Sequence, residues 1–224
     1  MPEVNTTTVQ DSDSPELLSM DLNLPRSTLI KNLQANALRV YEIGREIQVY
    51  PLGFLRLPFM ENRHQNGHAL HVWMNDSPWK DEFNLHTHIF HLRSRVLRGQ
   101  VRDKAWSVLA DQGGRYRLVR PQYQEGRMVL DEGERVRVEQ GESRDFSQDE
   151  VYAVEKGTFH SSEVNDGTVS LIEKSQVDPT KDPLVVLPVD MPTQDGGFDT
   201  SQFPQDEAWK IVHQTLQELR ETIA

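Results

Sequence analysis

With 224 residues, 36% hydrophobic and 26% charged, the chain has the length and composition of one globular domain with a real core and modest extensions. Its formal charge of −11 argues against nucleic acid or an anionic membrane surface as the main partner, because a phosphate-tracking face needs an excess of Lys and Arg. It has no cysteine, which excludes disulfides, thiolate metal sites and cysteine nucleophiles, so any metal must be held by imidazole and oxygen.

Residues 1–14 are polar and acidic and read as a disordered tail. They lack the basic and apolar regions of a signal peptide, and no apolar run reaches the length of a membrane span, so a cytoplasmic protein is expected. Residues 15–48 read as an N-terminal helical extension. Ser27, after Pro25 and Arg26, is placed to cap a helix ending at about residue 46, with Leu29, Leu33, Leu38, Val40, Tyr41 and Ile43 as its apolar stripe.

From residue 49 the texture changes to short runs rich in branched and aromatic residues, near 49–59, 69–74, 84–90, 91–98, 100–109, 115–120, 134–138, 150–155 and 168–174. Turn signals separate them at Arg98-Gly99, Gln112-Gly113-Gly114, Asp131-Glu132-Gly133 and Asn165-Asp166-Gly167. Many short strands with no helix between them predict an antiparallel sandwich or barrel over 49–177. A Pro-rich connector, 178–204, leads to a C-terminal amphipathic helix, 205–224. Its stripe of Trp209, Val212, Leu216, Leu219 and Ile223 is expected to pack on the barrel or on a partner subunit. Edge strands and this helix permit a homodimer.

The eight histidines are the most informative feature. His86 and His88 lie two apart in the strand-like stretch Phe83 to Phe90, so both imidazoles can aim into one cavity. A run from His91 to Leu97 follows, then the turn at Gly99. Much later Val151 to Val154 leads through Gly157 to His160, with another strand-like run from Thr168 to Lys174.

These residues resemble the two-part signature of the cupin superfamily, G-x5-H-x-H-x3,4-E-x6-G and G-x5-P-x-G-x2-H-x3-N, over roughly residues 70–175. His86, His88 and Gly99 match the first part, with Leu92 at the Glu position under the shorter spacing and Arg93 under the longer one. Gly157 and His160 match the second; Glu155 replaces the Pro, and Val164, followed by Asn165, replaces the Asn. The resemblance implies an all-β fold, a single cupin barrel (double-stranded β-helix, or jelly roll) with an N-terminal and a C-terminal helix. It also implies a metal held by His86, His88 and His160.

Without the Glu, the ligand set resembles that of the three-histidine branch typified by cysteine dioxygenase, which binds non-haem iron(II). In that branch the strand after the third His carries S-x-H-x-Y; here the positions read Ser170, Ile172 and Lys174. Ser170 and Lys174 are therefore expected to line a substrate pocket, with Arg93 as a carboxylate-pairing residue if it occupies the Glu position.

Three facial imidazoles leave open positions where substrate and O2 can bind side by side, which suits Fe(II). Three His with a water also suit Zn. The expected function is a mononuclear iron oxygenase acting on a small polar metabolite. The alternatives are a non-catalytic cupin that binds a small molecule or metal, and a zinc-dependent hydrolase or isomerase.

The remaining features have plainer readings. His64, His68 and His71 read as surface or structural, His91 as pointing away from the cavity, and His213 as lying at the solvent edge of the last helix. Arg93, Arg95, Arg98 and Arg102 also fit a solvated or intersubunit face paired with acidic residues, and Asp131 to Glu142 fits a solvated hairpin.

Overall fold

The computed structural model describes residues 17–50, 52–59, 66–74, 84–124, 127–130, 133–191 and 203–223. The 1–14 tail and His64 lie outside them. In chain order the elements are α1 (Arg26–Glu42), β1 (Gln48–Tyr50), β2 (Phe54–Pro58), β3 (Gly67–Trp73), β4 (His91–Arg98), β5 (Val101–Ala110), β6 (Tyr116–Val119) and β7 (Pro121–Gln124). There follow β8 (Arg127–Leu130), β9 (Glu134–Phe146), β10 (Val151–Val154), β11 (Phe159–Val164), β12 (Val169–Ser175), β13 (Val185–Pro188) and α2 (Gln205–Glu221).

One sheet has the order β1-β2-β3-β12-β4-β10 and the second β11-β5-β9-β6-β13, with β7-β8 as a separate hairpin. Every pairing is antiparallel. The late strand β12 inserts between β3 and β4, and consecutive strands such as β4 and β5 pass from one sheet to the other. The result is the all-β, jelly-roll arrangement of curled antiparallel sheets expected from the sequence, with a helix near each end of the chain.

The pleat decides which side chains reach the interior. On one face of the first sheet Leu55, Leu57, Leu70, Val72, Val169 and Leu171 meet Leu29, Leu33 and Val40 of α1 and Val212, Leu216 and Leu219 of α2 in one buried cluster. The alternate residues Phe54, Arg56, His71, Trp73, Ser170, Ile172 and Lys174 line a cavity inside the barrel. The helices thus seal one side of the sheet and leave the other for chemistry.

The C-terminal stripe is as read, and it packs on the barrel, with Ile223 partly buried. The first helix differs. Arg26 opens it with Pro25 at the cap position and no side-chain cap hydrogen bond, because the proline ring already holds the backbone at φ −51°. Ser27 is therefore inside the first turn. The helix ends at Glu42, and Leu38, Tyr41 and Ile43 stay half exposed, because the buried stripe runs through Leu29, Leu33, Asn36, Ala37 and Val40.

Three other expectations are modified. Residues 84–90 form no regular strand; His86 makes isolated bridges to His160 and Val185 instead. Strand β9 is 13 residues long rather than five and mostly exposed. The 178–204 connector contributes β13, because the branched run Val185-Val186-Leu187 pairs with β6. The turn at Arg98-Gly99 is as read, but it closes no hairpin: it carries the chain from β4 in one sheet to β5 in the other. Gly99 has φ +81°, and a Cβ there would collide with Thr168, so only glycine serves.

Gln205, the first residue of α2, ties the helix to the barrel. Its side-chain amide accepts from the Ile47 N–H at 2.9 Å and donates to the Ile47 carbonyl at 2.8 Å. Replacing Gln205 by alanine is expected to cost about 1–2 kcal/mol, since both backbone groups lose their partner. A urea titration should show a lower midpoint with unchanged slope.

Candidate metal centre

His86 and His160 face each other as a doubly hydrogen-bonded backbone pair, each N–H donating to the other's carbonyl at 3.0 Å. The far edge of the 85–88 segment is held by the chain near β13. Thr87 N–H donates to the Leu184 carbonyl at 2.8 Å, and Val186 N–H to the Leu85 carbonyl at 2.9 Å. His88 is fixed by the Gly157 N–H, which donates to its carbonyl at 2.9 Å. Gly157 sits at φ +79°, a conformation that makes the tight return into β11. This framework is why residues 72 apart converge.

The ring nitrogens of His86, His88 and His160 lie within 4.8 Å of one another. The Nε2 atoms of His88 and His160 are 3.0 Å apart. That is the separation of two donors at right angles, each about 2.1 Å from a common centre. His160 Nδ1–H donates to Asp103 Oδ1 at 2.7 Å, and His86 Nδ1–H donates to the Asn84 carbonyl at 2.9 Å. These bonds put the remaining lone pair of each ring on Nε2, inside the cavity. Burial, then the nearby His160 charge, pushes the His86 imidazole down to about 3. Burial also holds His88 well below the usual range, with His86 next in effect. Neutral imidazoles with converging lone pairs are the form that binds a divalent cation. The donor set therefore fits a metal.

Leu92 lines the cavity, so the shorter motif spacing applies and an apolar side chain stands where a carboxylate ligand would be. Arg93 points to the other face of β4, as its odd offset from Leu92 requires. It pairs with Glu173 at 2.8 Å, and the structure does not bring it to the cavity. The other arginines of that run are also engaged away from the cavity. Arg95 pairs with Asp149 and caps the Leu22 and Leu24 carbonyls, Arg98 pairs with Glu218, and Arg102 with Asp145.

His91 pairs with Glu155 at 2.5 Å, away from the triad. His213 lies exposed beside Tyr41 and Trp209. Ser170 and Lys174 do line the cavity.

Two residues escaped the sequence reading. Asp103 is 2% exposed, holds His160, and is approached from its far side by Arg144 at 3.3 Å. Its signal was an acidic residue on the inward phase of Val101-Arg102-Asp103-Lys104-Ala105, a place where strands rarely put Asp. His71 also lines the cavity, stacked on Phe54 at 4.1 Å. No sequence signal marked it, because the phase of β3 was ambiguous.

Lys174 is 5% exposed, with its ammonium 5.5 Å from the Phe90 ring centroid. Burial first, and the Arg56 charge second, push it down to about 8. An unfolded lysine keeps its proton to about 10.5, so between pH 8 and 10.5 the unfolded chain binds more protons and stability rises with pH; below pH 8 the penalty is complete. Lys174→Met should therefore gain stability over the parent most clearly at pH 7. That advantage should shrink by about 1–2 kcal/mol by pH 10.5, less than the full shift because cavity water screens the ammonium. Chemical denaturation of both proteins across that range checks it.

No family model matches the chain, and no curated protein matches it. Among solved structures, an RmlC-like cupin from Shewanella frigidimarina is 14% identical to it, covering 62% of this chain and 89% of that one with a TM-score of 0.35. KdgF from Halomonas sp. is 10% identical, covering 59% and 88%, with a TM-score of 0.32. The DMSP lyase DddQ from Ruegeria pomeroyi is 10% identical, covering 76% and 71%, with a TM-score of 0.39. Among the described residues no helix is long and apolar enough to cross a membrane.

Proposed function

We propose that this protein is a mononuclear non-haem iron(II) oxygenase acting on a small metabolite, with His86, His88 and His160 as the metal ligands. The observation that carries the reading is the convergence of three imidazoles, with the outer nitrogens of His160 and His86 already committed to Asp103 and to the Asn84 carbonyl. Bound iron(II) would supply redox chemistry with O2 at coordination positions the protein leaves open.

The chain's own contribution is positional. Asp103 and the Asn84 carbonyl orient two of the rings, while Leu92 keeps the side toward β4 free of a carboxylate. Ser170 and Lys174 offer a hydroxyl and an ammonium to the substrate from β12, the strand beside β4. The largely apolar lining lowers the local dielectric and strengthens both contacts.

Metal analysis of protein purified without a histidine tag should find about one iron per chain, as a single three-His centre implies. Oxygen-electrode assays with a metabolite panel should then show substrate-dependent O2 uptake. A folded chain that takes up no iron under anaerobic reconstitution ends the reading. Iron-loaded protein that consumes no O2 with any candidate favours a binding module, and turnover with zinc but not iron favours a hydrolase or isomerase.

A further inference from the structure

We propose that the ligand of this cavity is an aryl-bearing organic acid: a flat ring laid on an aromatic wall and a carboxylate held at Lys174. The inference deepens the oxygenase reading and rests on it only for the cavity's role as a substrate site.

The cavity offers about 830 Å³, within the range that holds drug-sized ligands. A wholly polar metabolite of a few heavy atoms would leave most of that space as water against apolar walls, an unfavourable arrangement. The wall itself has a specific form. Tyr50, Phe54 and His71 make a continuous stack across β1, β2 and β3, with ring centroids 4.9 Å and then 4.1 Å apart and interplanar angles of 11° and 19°. Trp73 closes its end, tilted against Phe54 at 4.6 Å. All four line the cavity. Rings stacked face to face across adjacent strands turn their electropositive edges to the cavity, a surface against which the face of another planar ring packs in the T-shaped arrangement.

Charge fixes the other end. The chain carries a net charge of −11, yet the cavity wall formed by β2, β3 and β12 bears two cations, Arg56 and Lys174. They are close enough for the Arg56 charge to act on Lys174. Arg56 is oriented by donating to Gln48 Oε1 at 2.7 Å. Register places Arg56, His71 and Ser170 side by side on β2, β3 and β12, with Lys174 four residues further along the same face of β12. Ring stack and cations thus belong to one wall, and a single ligand can meet both. Low local dielectric makes the ammonium a strong partner for one carboxylate.

The test uses the full chain, as purified and after dialysis against a chelator, with three probes titrated by calorimetry: 3-phenylpropanoate, its neutral amide, and butanoate. Expected is binding of 3-phenylpropanoate at least tenfold tighter than either of the others. Lys174→Met should abolish the preference over the amide, and Tyr50→Leu should weaken the preference over butanoate. Equal affinity for acid and amide, equal affinity for 3-phenylpropanoate and butanoate, or no binding of any probe would overturn the proposal. Iron uptake is measured on the same samples. Protein that selects 3-phenylpropanoate but takes up no iron would sink the oxygenase and leave the ligand class standing; iron-loaded protein indifferent to the probes would do the reverse.

Discussion

Replacing His160 by alanine is expected to lower iron(II) and zinc(II) affinity about 100- to 1000-fold. Apparent binding energies of about 10–16 kcal/mol for four-ligand zinc sites imply about 2.5–4 kcal/mol per ligand, and each 1.36 kcal/mol is a factor of ten. His86→Ala and His88→Ala should match it, because each removes one of three converging nitrogens. His91→Ala is the control, since that ring is bound to Glu155. Equilibrium dialysis of each variant under anaerobic conditions reads the effect, and far-UV circular dichroism checks that the barrel survives. His160 is the second residue of β11, which six residues of β5 hold in register, so the fold does not depend on the imidazole. Unchanged affinity in all three variants would mean that the rings converge for packing alone.

Much of this centre was legible because its determinants are local. Two histidines two residues apart share a side in any extended segment, and a glycine eleven residues after His88 marks a turn whatever lies beyond it. The alternation of β4 could be stated in advance as a choice between Leu92 and Arg93, and the pleat decides it: only Leu92 faces inward. What stayed hidden depends on pairing partners far along the chain. Asp103 matters because β11 lies beside β5 and brings His160, 57 residues later, against its carboxylate. β13 is a four-residue branched run in a Pro-rich stretch, and nothing local says that β6 receives it. His71 illustrates a third cause. In Gly67 to Trp73 both faces are occluded, one by the helices and one by the cavity wall, so hydrophobic alternation is blurred and cannot assign the phase of a histidine. The stripe of α1 failed differently: Leu38, Tyr41 and Ile43 are apolar without being buried, and composition does not separate the two.

Asp103 is the more discriminating target, because it touches no candidate metal position and acts only through His160. Asp103→Asn preserves shape but removes the negative charge that strengthens the hydrogen bond from His160 Nδ1–H, and the amide can equally present its NH2 group to that nitrogen. In that orientation the His160 proton is driven to Nε2, the atom needed as a donor to metal. The expected result is a 10- to 100-fold loss of affinity, about the range for partners of metal-bound histidines. Asp103→Ala should lose as much affinity and also stability, because the buried His160 ring loses its hydrogen-bond acceptor, while the half-exposed Arg144 turns to solvent. Asp103→Glu tests geometry rather than charge: its extra methylene keeps the carboxylate but displaces it, so partial recovery is expected if charge dominates. Nitrogen-15 shifts of the His160 ring in metal-free protein give a readout that packing alone would not move. The wild type should show the Nδ1–H tautomer, and Asp103→Asn a shift toward Nε2–H. An unchanged tautomer with unchanged affinity would show that the 2.7 Å contact does not tune the centre.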